Sequence, residues 1–368
     1  MDPLKQVSAQ RRREELEALL VLEALPGVGP RGVRVLVETA GSAAAALADT
    51  PLVRVKAGPA AAAAARTEEP RRGVLRSLER ADRLGMDTRL FHEPGYPSRL
   101  LQLPDPPPVL FLRGRAELLG SLGVAVVGSR KATARGRSAA RRLGAAVAGR
   151  GTSVVSGMAL GVDGAAHEGA IEARGPTVAV LGSGADRAYP AAHRALFRRI
   201  VAEGLVVTEF LPGTRALPYH FPRRNRILAA LARALVVVEA GARSGALISV
   251  DHALDLGVDV WAVPGPFEEP ACAGSNALLA DGARPLVSVA AFLEAILGPD
   301  APEAEVARPP LEGAEEDVWA ALALGDVSAD EVVRETGLAS GRVLALLAAL
   351  ELRGHVRRLP GLRFRRAG

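Results

Sequence analysis

Short apolar runs alternate with helix-length stretches through the middle of the chain. Six runs rich in valine, alanine and leucine have the length of buried strands. They are Val124–Val127, Ser153–Ser156, Thr177–Leu181, Leu205–Glu209, Leu235–Glu239 and Val258–Val263. Helical patterns lie between them, such as Arg135–Arg150 and Asp163–Ala173. The alternation predicts βαβ units and a parallel sheet, and the nearly continuous apolar character of the runs indicates helices on both faces.

The region before the sheet predicts small helices. Residues 14–48 contain two helical patterns around the turn Leu25–Pro30, which resembles a helix–hairpin–helix motif. In that motif the backbone amides of the turn meet a nucleic-acid phosphate. A helical hairpin used for packing or dimer contacts explains the same turn. The alanine run Ala60–Ala65 and the charged segment after it predict a helical connector.

A proline-rich stretch, 299–313, has the composition of a linker. The residues after it predict a winged helix made of three helices and a hairpin: Asp317–Leu324, Ser328–Thr336, Ser340–Arg353 and His355–Arg366. Ser328 and Ser340 are the expected N-caps, and Glu331 completes a capping box with Ser328. Arginines without acids crowd the tail, but the helix at 340–353 offers few polar groups to base edges, so sequence-specific readout is not expected.

Composition restricts the class of protein. The chain is 49% apolar but has no run of 18 apolar residues, so no membrane span is expected. The segment Met1–Lys5 lacks the apolar core of a secretory signal, and Cys272 is the single cysteine. These features predict a reduced, cytoplasmic protein. The net charge of +5 permits an anionic partner, whereas 4% aromatic residues argue against an extended base-stacking platform.

Five short segments have the character of turns at strand ends, because they combine small residues with arginines. They are Gly128–Arg130, Ser156–Met158, Gly182–Asp186, Phe221–Arg226 and Arg243–Leu247. In an alternating α/β fold such turns collect at one edge of the sheet, where backbone amides and helix N-termini attract anions. The pattern predicts a phosphate-binding edge, suited to a polymer rather than one small nucleotide.

The most basic of these segments, Phe221–Arg226, precedes a predicted apolar helix, Ile227–Ala234. Three arginines at a helix start are locally unfavourable unless an anion lies there. Phe221 either stacks on a base or packs in the core, and the sequence leaves both interpretations open.

Familiar nucleotide and catalytic signatures are missing. The turn after the first strand is not G-x-G-x-x-G and no acid follows the second strand, which argues against NAD. A Walker lysine motif is absent too. The six histidines lack metal-ligand spacing. Glu209 and Glu239 either form a carboxylate pair, or Glu209 pairs with an arginine. We expect Asp163 to cap a helix and His167 to be structural, so no catalytic constellation is predicted.

Taken together, the motifs resemble the DNA-processing protein A family (DprA, also called Smf), over a stretch from about Tyr96 to Gly282. The residues that carry this resemblance are Tyr96-Pro97, Pro104–Pro107, Val126–Arg130, Ser156–Asp163, His167, Gly184, Asp186, Tyr189-Pro190, Phe221–Ile227, Ser244–Leu247, Val263–Gly265 and Gly274–Asn276. The last of these has Ser275 where the family pattern has threonine.

The resemblance implies an extended Rossmann-like domain that binds single-stranded DNA (ssDNA) and forms a homodimer. It implies a protein without catalytic activity or cofactor that protects incoming ssDNA in natural transformation and loads the RecA recombinase. The implied ssDNA contacts are Gly128, Ser129, Arg130, Phe221, Arg223, Arg224, Asn225 and Arg226, and, from shorter motifs, Ser156, Gly157, Gly182, Gly184, Ser244 and Gly245. The expected domains are 1–70 (helical, helix–hairpin–helix-like), 71–298 (Rossmann-like), a linker at 299–313, and 314–368 (winged helix).

Two other functions stay open at this point. Related Rossmann-like proteins hydrolyse nucleoside monophosphates with a Pro-Gly-Gly-x-Gly-Thr-x-x-Glu loop, but the corresponding segment, Gly241–Ser249, lacks the glycine pair and the glutamate. A regulator that binds duplex DNA through the winged helix is the third interpretation.

Overall fold

The computed structural model of the chain describes residues 3–298, 311, 313–322, 327–353, 355–359 and 361–366. Its contacts divide the chain into two compact units, Met1–Ala301 and Pro302–Gly368. The linker predicted at 299–313 lies almost entirely outside the described residues. The boundary predicted after residue 70 lies within the first unit and stays a prediction.

Six helices form the N-terminal part of the first unit. They are α1 (Pro3–Ala24), α2 (Pro30–Ala40), α3 (Ala43–Ala48), α4 (Thr50–Ala57), α5 (Pro59–Ala65) and α6 (Glu69–Arg83). Their apolar side chains share one core with Leu90 and Phe111. In the turn between α1 and α2, Gly27 has φ = 74°, and Pro30 begins α2, where its missing N–H costs nothing. The predicted pair of helices is confirmed, whereas a phosphate at the turn stays a prediction.

One nine-stranded sheet forms the centre of this unit. The strands are β1 (Asp87–Leu90), β2 (Val109–Gly114), β3 (Gly123–Val127), β4 (Val154–Ser156), β5 (Thr177–Val180), β6 (Leu205–Thr208), β7 (Ala232–Val237), β8 (Asp259–Ala262) and β9 (Arg284–Pro285). Their order is β1-β2-β6-β5-β4-β3-β7-β8-β9. All pairs from β6 to β9 are parallel, whereas β1 and β2 are antiparallel additions. The predicted parallel sheet is confirmed, and the structure adds β1, β2 and β9 to the six predicted strands.

Helices cover both faces of the sheet. They are α7 (Ala134–Ala148), α8 (Val162–Glu172), α9 (Arg194–Glu203), α10 (His220–Ala230), α11 (Leu247–Asp255), α12 (Ala273–Ala280) and α13 (Val289–Leu297). In β3, Val124 and Val126 belong to the core with α7 and α8, whereas Ala125 and Val127 belong to the core with α10. Successive strand residues point to opposite faces, and both faces are covered, so the run is apolar throughout.

The helix predicted at Ile227–Ala234 is wrong in its bounds. The helix α10 begins at His220, so Phe221–Arg226 is helical rather than a turn, and it ends at Ala230. Strand β7 begins two residues later, and its Ala232 and Ala234 pair with Gly123 and Val124 of β3. Alanines and leucines, which favour helix, continue across this boundary, so only the pairing with β3 decides where the helix stops.

The second unit is a winged helix. It contains α14 (Ala314–Ala321), α15 (Ala329–Thr336) and α16 (Ser340–Leu352), and the strands β10 (Val327–Ser328), β11 (Val356–Leu359) and β12 (Arg363–Arg366), in sheet order β10-β12-β11. The capping box is confirmed: Ser328 Oγ accepts from Glu331 N at 3.2 Å, and Ser328 N donates to Glu331 at 2.7 Å. The N-cap predicted at Ser340 is wrong, because Ala339 holds that position and Ser340 begins the helix.

Two glycines let α7 and α8 approach closely. A Cβ atom on Gly169 would overlap the carbonyl oxygen of Arg141, and one on Gly144 would overlap that of Ala166. The obstacle is backbone in both cases, so no side-chain rotation relieves it. This contact holds α8 against the sheet and thereby positions the turn that precedes it.

We expect Gly169→Ala to lower the unfolding free energy of the first unit by about 1–3 kcal/mol, because the added methyl group separates α7 from α8. Urea unfolding followed by far-UV circular dichroism measures this. Gly73→Ala is the matched control: it also lies inside a helix, α6, but its Cβ position is open space. It is expected to stabilise by about 0.5–1 kcal/mol. An unchanged midpoint for Gly169→Ala would contradict the close-packing argument.

Candidate nucleic-acid interface

The turns after β3, β4 and β7 meet at the carboxyl edge of the sheet. Strand β3 lies between β4 and β7, so the three turns are neighbours. Backbone hydrogen bonds join them: Ser129 N donates to Glu239 O at 2.6 Å, and Val162 N donates to Ser129 O at 3.3 Å. The structure thus brings together the predicted turns that contain Gly128, Ser156 and Ser244.

An arginine and two aromatic rings form an accessible group at this edge. The Arg130 guanidinium lies 4.7 Å from the centre of the Phe221 ring, and the Tyr189 ring lies 5.5 Å from Phe221 with planes tilted by 33°. Arg130 is exposed, Tyr189 is 45% exposed and Phe221 is half-buried. We call these three residues the Arg130 surface. A cavity of about 80 Å³ lies among them, bordered by Gly157 and Gly182.

The Arg130 surface offers two kinds of contact. The guanidinium forms paired hydrogen bonds with phosphate oxygens, and aromatic faces stack on nucleobases. Phe221 was predicted either to stack or to be buried in the core. The ring is half-buried against Gly182 and lies beside Arg130 and Tyr189, and stacking on a base stays a prediction. Tyr189 was missing from the predicted contacts, and its only signal in the sequence was the Tyr-Pro motif.

Arg224 lies beneath the Arg130 surface rather than on it. It is 4% exposed, donates a hydrogen bond to the Val180 carbonyl oxygen, and occupies the space that a Cβ atom on Gly157 would need. Burial lowers the pKa of Arg224 to about 10, although the nearby Asp163 opposes the shift. Gly157 is therefore required for the close approach of this arginine, and Arg224 supports the turn from below.

The prediction that Asp163 caps α8 is wrong. Gly161 holds the N-cap position, and the buried Asp163 carboxylate accepts hydrogen bonds from Gly157 N at 3.1 Å and Ala159 N at 3.3 Å. Burial raises the pKa of Asp163, and the positive charge of Arg224 opposes this. Together, the acid and the arginine fix the turn after β4.

Arg223 and Arg226 are both bound to Glu209, which is 1% exposed. The Glu209 carboxylate accepts from Arg223 at 2.8 Å and from Arg226 at 2.7 Å. Arg223 also pairs with Glu23 of α1 at 2.9 Å, and Arg226 with Asp105 at 3.1 Å. We call these five residues the Glu209 cluster. It neutralises two of the three arginines in the first turns of α10, which the sequence left for an external anion.

The other predicted contacts serve mainly the backbone of the turns. Ser129 Oγ accepts from Lys131 N at 3.1 Å, and the buried Ser156 donates to Val126 O at 2.6 Å. The remaining positions are Gly128 at the end of β3, Gly182 and Gly184 after β5, Asn225 buried in α10, and Ser244 and Gly245 between β7 and α11. Ser244 Oγ accepts from Ala246 N at 3.3 Å.

The two strand-end glutamates do not form a carboxylate pair. Strands β5, β4 and β3 lie between β6, which precedes Glu209, and β7, which precedes Glu239. Glu239 accepts from Thr133 N at 2.8 Å and from Thr133 Oγ1 at 2.6 Å. The other predicted interpretation, Glu209 paired with arginine, is the one observed.

His167 is structural, as predicted. It is fully buried, its Nδ1 lies 2.7 Å from Thr177 Oγ1, and that hydroxyl donates to Val154 O. Nδ1 therefore carries the proton, and burial lowers the pKa of His167 to about 3. Within the described part of the chain, no group of three His, Cys, Asp or Glu side chains is arranged to hold a metal ion. No helix among the described residues is long and apolar enough to cross a membrane.

Glu23 gives the Glu209 cluster a dependence on pH. Burial and the neighbouring Glu209 raise the pKa of Glu23 from 4.5 to about 7, although Arg223 opposes the rise. The folded protein therefore binds this proton more tightly than the unfolded chain does. It follows that Glu23 destabilises the fold increasingly as pH rises from 4.5 to about 7.

We expect Glu23→Gln to gain stability relative to the unmodified protein across this pH window and to keep a constant difference above it. Chemical unfolding at a series of pH values measures the difference. Glu17→Gln is the control, because Glu17 is also on α1 and pairs with Arg71, outside the Glu209 cluster. Parallel pH profiles for Glu23→Gln and the unmodified protein would contradict the assignment.

Family models match most of the chain. One described as DNA recombination-mediator protein A matches residues 87–297, from β1 to α13. Another, described as the DprA winged helix domain, matches residues 302–362.

Curated relatives come from diverse bacteria. The putative DNA processing protein DprA of Mycobacterium tuberculosis is 44% identical over 256 residues, which cover 67% of this chain and 66% of that protein. Protein Smf of Synechocystis is 35% identical over 312 residues, 74% of this chain and 78% of that protein. The DNA processing protein DprA of Streptococcus pneumoniae is 39% identical, over 52% of this chain and 68% of that protein.

Two solved structures share the fold. The X-ray structure of DprA from Streptococcus pneumoniae has a TM-score of 0.65 at 29% identity and covers 76% of this chain and 96% of that one. A Helicobacter pylori DprA structure, whose description concerns its single-stranded DNA binding mode, has a TM-score of 0.52 at 27% identity and covers 58% and 95%. By sequence and by fold, the chain belongs to the DNA recombination-mediator protein A family, DprA/Smf.

Proposed function

We propose that this protein binds single-stranded DNA at the Arg130 surface. The observation that carries the proposal is the exposed guanidinium beside two aromatic rings at the carboxyl edge of the sheet. A phosphate pairs with Arg130 and an unstacked base stacks on Tyr189 or Phe221. The Helicobacter pylori relative, which is described as binding single-stranded DNA, supports the same ligand here.

Preference for single strands follows from the chemistry of this surface. Base–aromatic stacking needs a base face that is free, and in a duplex both faces of each base are covered by neighbouring pairs. Stacking also tolerates every base, so little sequence preference is expected. The phosphate contact makes binding sensitive to salt.

The remaining predicted residues fall into a supporting role in this proposal. Arg224 holds the turn after β4 from below, and Arg223 and Arg226 hold α10 through the Glu209 cluster. Because α10 carries Phe221, these arginines position a stacking ring without touching the strand themselves.

Family membership supports the wider role. We propose a cytoplasmic homodimer that protects incoming strands in natural transformation and delivers them to the RecA recombinase, without catalysis or cofactor. Against the nucleoside monophosphate hydrolase alternative, the segment Gly241–Ser249 has no glutamate, and the strand-end Glu209 and Glu239 are held by internal hydrogen bonds. Against the duplex regulator, helix α16 of the winged helix offers few polar groups to base edges.

We expect Arg130→Ala to weaken binding of labelled oligo-dT and to reduce the salt dependence, measured by fluorescence anisotropy at several salt concentrations. One lost phosphate contact lowers the log–log slope by about 0.7. Arg233→Ala is the control, since Arg233 is also exposed but lies at the amino end of β7, on the opposite edge of the sheet. If Arg130→Ala keeps the affinity and the slope of the unmodified protein, the proposed site is wrong.

Arg224→Ala is expected to weaken binding through folding instead. Removing it leaves the buried Asp163 without its nearby cation, which costs on the order of 3 kcal/mol of stability. Thermal unfolding should therefore shift in Arg224→Ala and stay unchanged in Arg130→Ala. A normally stable Arg224→Ala variant with impaired binding would instead return this arginine to direct contact with DNA.

A further inference from the structure

A second, larger cavity adjoins the Arg130 surface. It has a volume of about 590 Å³, and four of its ten lining residues are arginines. We call the four that line it, Arg187, Arg194, Arg198 and Arg215, the arginine groove. Tyr189 and Ser183 border both this cavity and the smaller one at Arg130, so the two cavities are adjacent.

The positive charge of the arginine groove is largely uncompensated. Within the described residues, Arg194, Arg198 and Arg215 are exposed and have no carboxylate within 4.0 Å. Arg187 lies 3.6 Å from Asp186, but that buried carboxylate is already bound by Arg80 at 2.7 Å and by Gly213 N at 2.8 Å. The neighbouring Arg199 shows the ordinary arrangement, since it pairs with Glu203 at 3.4 Å.

Helix α9 places one of these arginines at its N-terminal end, where a cation is unfavourable, and a second one turn later. Arg194 is its first residue, and Arg198 lies one turn later on the same side. The N-terminal end of a helix carries a partial positive charge, and like charges four residues apart repel each other. A bound polyanion relieves both effects, and the fold itself provides no acid that does so among the described residues.

We infer that the arginine groove binds the phosphates of nucleotides that continue from the Arg130 surface, so that one DNA strand passes over Tyr189. This inference rests on the proposed function and extends it from a point contact to a path. The ligand chemistry is that of a flexible polyanion, because four arginines from three separate places along the chain line one cavity of about 590 Å³.

The test uses the full-length protein and two lengths of oligo-dT, about 4 and about 16 nucleotides. The unmodified protein should bind the longer strand more tightly and with a steeper salt dependence. In the double variant Arg194→Ala/Arg198→Ala, the affinity for the longer strand should fall and its salt slope should decrease by about 1.4, for two lost phosphate contacts. Binding of the short strand, which needs only the Arg130 surface, should not change.

Two controls isolate charge in the groove. Arg199→Ala removes an exposed arginine from the same helix, but one already neutralised by Glu203, and should bind both strands normally. Arg194→Lys/Arg198→Lys keeps the charge and should restore most of the salt slope. Thermal unfolding of each variant separates loss of binding from loss of structure.

The outcomes distinguish this inference from the proposed function. If the double variant binds the long strand normally while Arg130→Ala weakens both lengths, the groove is not part of the path and the proposed function stands. Equal weakening of short and long strands by the double variant also overturns the path. If the unmodified protein binds neither strand, the proposed function and this inference fail together.

Discussion

The buried carboxylate of Glu209 is the constraint on which the site depends. It sits at the end of β6, almost without solvent, and accepts hydrogen bonds from two arginines of α10. A buried charge is tolerated only when it is paired, so the helix and the strand end must stay together. Because Arg223 reaches Glu23 and Arg226 reaches Asp105, the same ion pairs also tie the N-terminal helices and the segment before β2 to this point.

The position of α10 determines which side chain lies beside Arg130 in the Arg130 surface. Phe221 lies in the first turn of that helix, directly over Gly182, and faces Arg130 from the turn after β3. Residues separated by about ninety positions in sequence thus come to share one surface. The basic motif at 221–226 therefore divides into an aromatic ring that lies beside Arg130 and arginines that hold the helix in place.

Charge at this edge is arranged in two layers. The inner layer consists of neutralised pairs, in which Arg224 lies near Asp163 and Arg226 binds Glu209. The outer layer contains Arg130 and the arginine groove, where most guanidinium groups keep no acid nearby among the described residues. The inner pairs stabilise the turns, and the outer cations are left for an anion. Composition gives only the net charge of the whole chain, +5, and does not distinguish these layers.

The sequence by itself determined the parallel sheet, the winged helix and the edge at which the turns gather, because these depend on local periodicity and on the rule that parallel strands end together. It also located Arg130 and Phe221. Only the tertiary structure decided which arginines are buried, that α10 starts at His220, and that Tyr189 joins the surface. The reason is physical: an arginine looks the same in the sequence whether its guanidinium faces water or a carboxylate. Its partners here, such as Glu23 for Arg223, are distant in sequence and are brought to it only by the fold.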